Sequence, residues 1–425
     1  MLLSAGPFAG MGIARREVSN MLRLVPLASP LNKPEAVAAL TAQLLEQIRG
    51  LGIQVEIESA AAEAEPCAPR MLFILTGGTE GLALSQLRRW SGPVVLLAHP
   101  THNSFPAALE ILAKVQQLDR RGKIVSLGND PQSGAELQKT LTLMTARQKL
   151  SGQRLGRIGV PSEWLIASQP EDRAVQESWG VQIVDIPKDE LLGRVRQASP
   201  GDTAALVQKW KAGAQACLEP GEGDLAWAGR VYAGLKGIIQ EQNLDACSVR
   251  CFDLVTDLQT TGCLALSELI DEGHMAGCEG DVPAALTMMW MHALSGGYPF
   301  MANPQQVLPG QNAVWLAHCT IARKLVSGYA LRSHFESGLG VALQGSSKEK
   351  AVTLARLAGP GLTELFVSDG EIVQDGRSED RCRTQFLVQL AQPVSYFVER
   401  PLGNHHVLVP GHFASTLEEY RRLYL

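Results

Sequence analysis

The sequence predicts an α/β protein made of two parallel-sheet units and a β-rich C-terminal region. Apolar strands alternate with amphipathic helices from Leu31 to about Val160, which is typical of a parallel sheet covered on both faces. A second unit of the same kind starts at Gly156. From Ala313 onwards, short apolar runs recur roughly every ten residues, and this spacing predicts a small antiparallel barrel or sandwich.

The first unit begins with a helix that Pro34 opens and Gly50 ends. Its apolar residues repeat at helical spacing: Val37, Leu40, Leu44 and Ile48. A second helix is predicted over Pro106–Asp119. The predicted strands are Ile53–Ile57, Met71–Thr76, Val94–Ala98 and Ile124–Ser126.

The second unit is predicted to hold the strands Arg157–Val160, Val181–Asp185 and Ser248–Asp253. Pro161-Ser162-Glu163 is expected to start the element after the first of these, and helices are predicted over Gly201–Gln242 and Leu264–Ile270. The apolar runs of the third region are Val314–Ala317, Ala351–Leu357, Glu364–Val367, Thr384–Leu390, Val394–Val398 and His406–Val409, with a closing helix at Ser415–Leu425. We expect domains at 1–155, 156–311 and 312–425.

Composition excludes several classes of protein. At 425 residues the chain is too long for one ordinary core, and 45% hydrophobic with 19% charged residues is globular composition. The net charge of −5 and the lack of a basic run predict no nucleic-acid partner. The N-terminal apolar stretch is short and interrupted by Gly and Pro, so we expect neither a signal peptide nor a membrane anchor. The chain is predicted to be cytoplasmic, with its eight cysteines, none in a CxxC pair, reduced.

The segment Gly262–Pro304 is the most informative for chemistry. Glu279 lies in a loop of small residues, where a ligand can approach its carboxylate closely. Asp281 is placed to cap the following helix, and the chain then returns through a strand that ends at Asn303. Strand ends of this kind bind ligands in α/β sheets. The alternative is that Glu279 is a second cap and Asn303 an ordinary turn residue.

Two further segments concentrate ionisable side chains. Arg332, His334 and Glu336 share one strand face by their period-two spacing, with His318 shortly before them; this face needs a wet cleft or a ligand, or is simply solvated. His405 and His406 are neighbours in an apolar strand, so at most one of them enters a given cleft. A single buried histidine is more often a core residue than a ligand.

Near the N-terminus, two apolar strands are each followed by a polar loop. LTGGTEGLA, which contains Thr79, could cradle an anion on its backbone N–H groups, although it lacks the spacing of a Walker A loop. HPTHNSFPAALE places His102 and Asn103 at a strand end before a helix, which suits hydroxyl recognition. Both loops are equally compatible with plain strand–turn–helix connections.

In their order along the chain, from Thr76 to Asn404, these segments resemble the L-fucose isomerase family and, more distantly, L-arabinose isomerase. The resemblance implies two Rossmann-like domains followed by a β-barrel-like domain. It also implies a metal-dependent aldose–ketose isomerase that acts on a sugar. Such proteins are homotrimers or homohexamers whose site is completed by a neighbour's N-terminal domain, and the segment containing His102 and Asn103 is the natural contribution.

The family holds one divalent ion, usually Mn²⁺, with two acidic residues and a C-terminal histidine. Glu279 matches the first acid, and the second falls on Asn303. His405 matches the histidine by its spacing to the later Gly-His. In the arabinose relatives the second residue of a His-His pair is the ligand, which makes His406 the competitor, and His334 resembles a further ligand that precedes a Gly-rich turn. The expected metal ligands are therefore Glu279, Asn303, His334, His405 and His406.

Asn303 is the departure from the family pattern that matters. Its amide can ligate a metal ion but cannot act as a base. We expect Glu279 to be both ligand and proton carrier in a reaction through a cis-enediol, and Glu336, Asp281 or a histidine to replace the missing base. Thr79, His102, Asn103, Arg332 and His318 are the predicted substrate contacts.

Two other functions remain open at this point. Sugar isomerases resembling this family also act on sulfonated hexoses such as sulfoquinovose, and Arg332 is placed to meet an anionic group. Tandem α/β domains also form sugar-binding proteins without catalysis. The acid and the clustered histidines favour an enzyme, whereas Asn303 favours a binding protein.

Overall fold

The computed structural model describes residues 21–59 and 67–425, in two compact units. Of the described residues, the N-terminal unit comprises 21–59, 67–151 and 418–425, and the main unit comprises 152–417. The stretch for which no signal peptide or anchor is predicted lies outside the described residues. The domain boundaries proposed from the sequence stay predictions.

The N-terminal unit is built on a parallel sheet. Its described elements are β1 (Leu22–Leu27), α1 (Pro34–Gly50), β2 (Val55–Ile57), β3 (Arg70–Ile74), α2 (Glu80–Leu87), β4 (Val94–Ala98), α3 (Ser104–Gln117), β5 (Gly122–Ser126) and α4 (Pro131–Leu150). The strands lie in the order β2-β1-β3-β4-β5, and every pair is parallel. The predicted parallel sheet is confirmed.

Strand alternation divides the core of this unit into two layers. Met71 and Phe73 of β3 pack on one face with Leu44 and Ile48 of α1, while the intervening residues of β3 face the other layer. That second layer contains Leu72, Ile74, Leu96, Ala107, Ala108, Ile111 and Val115. Both faces of the sheet are therefore covered by helices, which explains why β4 and all of β3 after Arg70 are apolar at every position.

The main unit opens with a second α/β arrangement. Its elements are β6 (Arg154–Ile158), α5 (Asp172–Trp179), β7 (Gln182–Ile186), α6 (Lys188–Gln197), α7 (Pro200–Gly213), β8 (Ala216–Cys217), α8 (Glu222–Glu241), β9 (Ala246–Val249), α9 (Phe252–Leu258), α10 (Cys263–Asp271), β10 (Met275–Cys278) and α11 (Val282–Ser295). The parallel sheet has the order β10-β9-β6-β7. Helix α11 is apolar on almost all sides and correspondingly buried.

The C-terminal part of the main unit is a closed antiparallel barrel, as predicted. The elements are β11 (Phe300–Leu308), β12 (Ala313–His318), β13 (Val326–Arg332), β14 (Ala342–Ser347), β15 (Ala351–Ala358), β16 (Glu364–Asp375), β17 (Thr384–Leu390), α12 (Tyr396–Glu399) and β18 (His406–Pro410). The last helix, α13 (Ala414–Tyr424), begins in the main unit, and its residues from Glu418 onwards belong to the N-terminal unit. The barrel order is β11-β12-β17-β16-β15-β18, and β18 closes it by pairing with β11. Strands β14, β13 and β8 form a separate small sheet.

Three local predictions were wrong. Val394–Val398 was predicted as a strand, but a turn after Pro393 leads into α12, because the Tyr396 N–H bonds to the Pro393 carbonyl instead of to a neighbouring strand. The strand predicted over Ser248–Asp253 ends at Val249, and α9 follows. Pro161-Ser162-Glu163 does not start the next element. It belongs to the loop between β6 and α5, and α5 begins only at Asp172.

Within the described ranges, no helix combines the length and the apolar character that crossing a membrane requires.

Trp179 should be a principal packing residue of the main unit. It is fully buried, meets Trp290 edge-on at 5.4 Å, and donates from Nε1 to the Gly361 and Leu362 carbonyls. We expect Trp179→Ala to lower the free energy of unfolding by about 3–5 kcal/mol. Trp227→Ala is the matched control, since Trp227 is half-buried beneath Arg230 and should cost no more than about 1 kcal/mol. Equal losses in urea unfolding would contradict this account.

Candidate functional site

The chain turns sharply between β10 and α11. Glu279 and Gly280 both lie in the left-handed region, with φ of 64° and 71°. A Cβ at Gly280 would lie 2.9 Å from the Pro161 Cα, so only glycine fits there. A glutamate in this conformation carries strain of about 1–3 kcal/mol, which the surrounding structure has to offset.

Asp281 begins helix α11 and confirms the predicted cap. Its Oδ1 accepts a hydrogen bond of 2.7 Å from the Ala284 N–H. The other oxygen, Oδ2, points away from the helix and contacts Arg356 and His405. One carboxylate therefore fixes the helix start and also reaches two residues of the barrel region.

Three side chains converge beside this turn. Glu279, His318 and His405 each offer one donor atom, and these atoms all lie within 4.8 Å of one another. His318 is the last residue of β12, and His405 directly precedes β18; these two strands flank β11 in the barrel. Barrel closure therefore brings the two histidines together, and the loop before α11 supplies the carboxylate.

His405 is fully buried and oriented by Asp281. Its Nδ1 lies 2.9 Å from Asp281 Oδ2, and its Nε2 lies 3.4 Å from Glu279 Oε1. Burial disfavours the charged ring, but the hydrogen bond to Asp281 and the nearby Glu279 carboxylate outweigh it and raise the pKa of His405 to about 9. Among the described residues, nothing forms a well-aligned hydrogen bond with its Nε2.

Glu279 and His318 have opposite electrostatic properties. Burial opposes ionisation of Glu279, but contacts with His405 and Trp164 hold its pKa below the usual value, so the group is a carboxylate. Burial and the charge of His405 lower the pKa of His318 to about 3, so its ring is neutral. Its orientation is set by the Thr320 N–H, which donates to Nδ1 over 3.2 Å.

A fully buried ion pair supports the cluster. Arg356 Nη1 lies 3.1 Å from Asp281 Oδ2 and donates to the His405 carbonyl over 2.9 Å, while Nη2 donates to Ser168 Oγ over 2.7 Å. Burial opposes ionisation of Asp281, but Arg356 and His405 lower its pKa to about 2. Residue 403 has to be glycine, because the Cβ of any other residue there would lie 2.8 Å from Arg356 Nη2.

These residues fit a divalent cation. Two imidazoles and one carboxylate form a mixed nitrogen and oxygen donor set that suits divalent transition metals. The Nε2 of His405 is the atom that such an ion would engage, in place of the proton that the raised pKa of His405 keeps on the ring. Metal-binding histidines commonly donate their other ring nitrogen to a carboxylate, as His405 does to Asp281.

His334 lies near the cluster and Glu336 lies outside it. The pKa of His334 is lowered by burial and by Arg383, and the Glu279 carboxylate acts in the opposite direction. Its Nδ1 contacts Ser337 Oγ at 3.2 Å. The Glu336 side chain is exposed.

The structure separates the two adjacent histidines. His406 Nε2 contacts the Tyr396 hydroxyl at 3.0 Å, and its Nδ1 contacts the Asn404 carbonyl at 2.8 Å. Both ring nitrogens of His406 are occupied, so His405 is the residue of the pair that faces Glu279. Asn303 is close by: it pairs with Ala317 across β11 and β12, and its Oδ1 accepts a bond from Asn404 Nδ2.

The remaining predicted contacts lie elsewhere. Arg332 is buried in the small sheet, where Glu219 and Glu379 bind its guanidinium at 2.6 Å and 2.9 Å. Thr79, His102 and Asn103 belong to the N-terminal unit, where the Gly77 N–H bonds to the His102 carbonyl and joins the two polar loops. Their roles in substrate binding stay predictions.

Sequence reasoning missed Trp164 and Arg356. Trp164 lies in an irregular loop, and its Nε1 donates to Glu279 Oε2 over 2.5 Å. Arg356 lies in the apolar run of β15. An arginine inside an otherwise apolar strand was a signal for Arg356, because a buried charge has to be paired. The sequence held no comparable signal for Trp164.

Comparisons with known proteins point to sugar isomerases. The chain is 28% identical over 204 residues to the sulfoquinovose isomerase of Alkalicoccus urumqiensis, which is 45% of each chain. It is 22% identical over 240 residues to the sulfoquinovose isomerases of Priestia aryabhattai and Priestia megaterium, which is 52% of this chain and 51% of theirs. The chain thus spans about half the length of the curated relatives it matches. No family model matches it.

The two adjacent histidines should differ in metal binding. We expect His405→Gln to weaken Mn²⁺ binding by more than about 100-fold. Loss of a residue that only supports a metal ligand costs up to about 100-fold, and loss of a ligand itself should cost more. His406→Gln is the matched control, since this residue is equally buried but both its ring nitrogens are occupied. Isothermal titration of the two folded variants measures the affinities; loss of affinity in the His406 variant alone would reverse our assignment.

The buried ion pair should show strong coupling. Asp281→Asn and Arg356→Met should each lower the free energy of unfolding by about 3–5 kcal/mol, because each leaves one buried charge without its partner. The double variant should lose less than the sum, since both charges are removed together. The exposed Arg173–Glu177 pair is the control and should show no resolvable coupling in urea unfolding. Additive losses at Asp281 and Arg356 would contradict the pairing.

Proposed function

We propose that this chain is an aldose–ketose isomerase of a sugar, and that Glu279, His318 and His405 hold one divalent cation. The observation that carries the proposal is the convergence of an ionised carboxylate, a neutral imidazole and an unsatisfied imidazole nitrogen in one buried cluster. The names of the partial relatives support the reaction class.

The reaction needs a proton carrier near C1 and C2 of the sugar. A divalent cation, when bound, supplies the positive charge that polarises the sugar's carbonyl and hydroxyl oxygens. Glu279 is ionised and therefore able to accept a proton. The Trp164 N–H holds Oε2, and Oε1 faces His405. We assign Glu279 the transfer of the proton through the cis-enediol.

Asn303 cannot act as a base, and the surroundings of Asp281, Glu336 and His334 indicate which of these three side chains could take that role. Asp281 is fully buried and bound by Arg356 and His405, so it has no free position from which to accept a proton. Glu336 is exposed and outside the cluster. His334 is neutral and interacts with Glu279, which makes it the second group able to accept a proton at this site.

For the substrate we propose a sulfonated hexose such as sulfoquinovose. This choice is supported by the names of the partial relatives. Arg332 does not support it, because its guanidinium is already bound by two carboxylates. Mn²⁺ as the ion, a homotrimer or homohexamer as the assembly, and the cytoplasm as the location stay predictions from the sequence.

A chelator-treated sample tests the function directly. We expect no turnover until Mn²⁺, Mg²⁺, Co²⁺ or Zn²⁺ is added back, and then ketose formation from sulfoquinovose in preference to L-fucose, D-arabinose or L-arabinose. Glu279→Gln should lower kcat by at least about 10²–10⁴-fold, the usual contribution of a positioned acid–base group. Glu371→Gln, at an exposed glutamate of β16, is the control and should leave kcat unchanged.

Asn303 favours a second function, a sugar-binding protein without catalysis. Absence of turnover with every metal, together with a rise in melting temperature on adding one of the sugars, would exclude the isomerase and support this alternative. Absence of both effects would exclude the two functions together.

A further inference from the structure

We infer that Trp164 is the sugar-stacking residue of this site: its exposed indole face binds the apolar C–H face of the substrate while its N–H holds Glu279. This inference rests on the proposed function, because it names a determinant of the substrate at the same cluster. It assigns a binding surface to a loop in which the sequence predicted no site.

Trp164 is far more exposed than the buried cluster that it contacts. The side chain is 52% exposed, whereas Glu279, which it contacts, is 9% exposed and His405 is fully buried. Burying a tryptophan removes a large apolar surface from water, and a half-exposed indole beside a buried polar cluster marks a surface that a ligand covers. Trp164 thus lies where the cluster meets solvent.

The orientation of the ring is fixed from two sides. Its Nε1 donates to Glu279 Oε2 over 2.5 Å, and the indole lies perpendicular to the Phe252 ring, with centroids 5.0 Å apart and an interplanar angle of 85°. Phe252 in turn meets His334 edge-on at 5.9 Å. Three rings therefore form a continuous row from the exposed indole to the buried His334.

The loop that carries Trp164 is anchored on both sides of this residue. The Ser162 N–H donates to the Glu279 carbonyl over 2.9 Å, and the buried Leu165 follows Trp164 and donates to the Ser162 carbonyl over 2.9 Å. The indole is thus held in place before any ligand arrives. Preorganisation of this kind lowers the entropy cost of binding.

An aromatic wall beside a carboxylate matches the two kinds of surface on a sugar. Binding sites for small molecules combine apolar and aromatic walls with a few placed polar groups. A hexose with equatorial hydroxyls has an unbroken C–H face that packs on a flat ring, while its carbon-bound oxygens project sideways towards polar groups. The indole of Trp164 therefore suits the C–H face of the pyranose form in which a hexose first binds, before its ring opens.

The two roles of Trp164 can be separated by substitution. Trp164→Phe keeps an aromatic face and removes the N–H that holds Glu279, so we expect kcat to fall about 10-fold while KM changes by less than about 3-fold. Trp164→Ala removes both, so KM should also rise about 10-fold. Trp227→Phe, at a tryptophan of α8 that stacks on Arg230, is the control and should change neither constant.

The test uses the full chain loaded with Mn²⁺, with sulfoquinovose turnover and equilibrium dialysis of the same sugar measured in parallel. Melting temperature and oligomeric state are recorded for every variant. The inference is supported if the wild type turns over sulfoquinovose and Trp164→Ala has both a raised KM and weaker binding of the sugar in dialysis. Turnover with an unchanged KM in that variant overturns the inference and leaves the proposed isomerase intact.

The other outcomes are equally decisive. If the wild type binds the sugar without turnover and Trp164→Ala weakens that binding, the stacking role stands and the isomerase proposal fails. If Trp164→Ala dissociates an oligomer and KM is unchanged, Trp164 is a contact between copies of the chain and the inference is wrong. If the wild type neither binds nor converts sulfoquinovose, the inference fails together with the proposed substrate.

Discussion

The buried ion pair between Asp281 and Arg356 is the interaction on which the rest of the site depends. Both side chains are removed from water, so each charge is stabilised only by its partner and by its remaining hydrogen bonds. Asp281 also caps α11 and orients His405, and Arg356 also binds the His405 carbonyl. Few other arrangements would satisfy both charges, and the pair therefore specifies the relative positions of the α11 start, strand β15 and the residue before β18.

The cluster of Glu279, His318 and His405 follows from this arrangement. Because Asp281 holds His405 Nδ1, the opposite ring nitrogen is directed towards Glu279. Glu279 reaches it from a left-handed backbone conformation, and Ser162 and Gly280 stabilise that turn through their backbone N–H groups. The strain at Glu279 is thus offset by bonds outside the cluster, which is a common property of functional sites. The donors are in place through interactions of the protein alone.

The sequence predicted the layers of the fold better than the details of the site. Apolar runs separated by Gly and Pro revealed both parallel sheets and the barrel, since burial on two faces leaves a clear pattern. The small-residue loop indicated Glu279, and the local cap indicated Asp281. The choice between His405 and His406 depended on which ring meets Asp281, and Trp164 reaches Glu279 across a separation of 115 residues. Contacts of that kind leave no periodic signal in a single sequence.

We propose that Glu279, His318 and His405 bind one divalent cation. Anomalous X-ray scattering from crystals grown with saturating Mn²⁺ tests it most directly, because the peak locates the ion without reference to activity. We expect one strong peak within about 2.0–2.3 Å of a donor atom of each of the three residues, as is usual for divalent metals bound by nitrogen and oxygen. A fully occupied Mn²⁺ peak elsewhere in the protein, with no peak at this cluster, would contradict the proposed site.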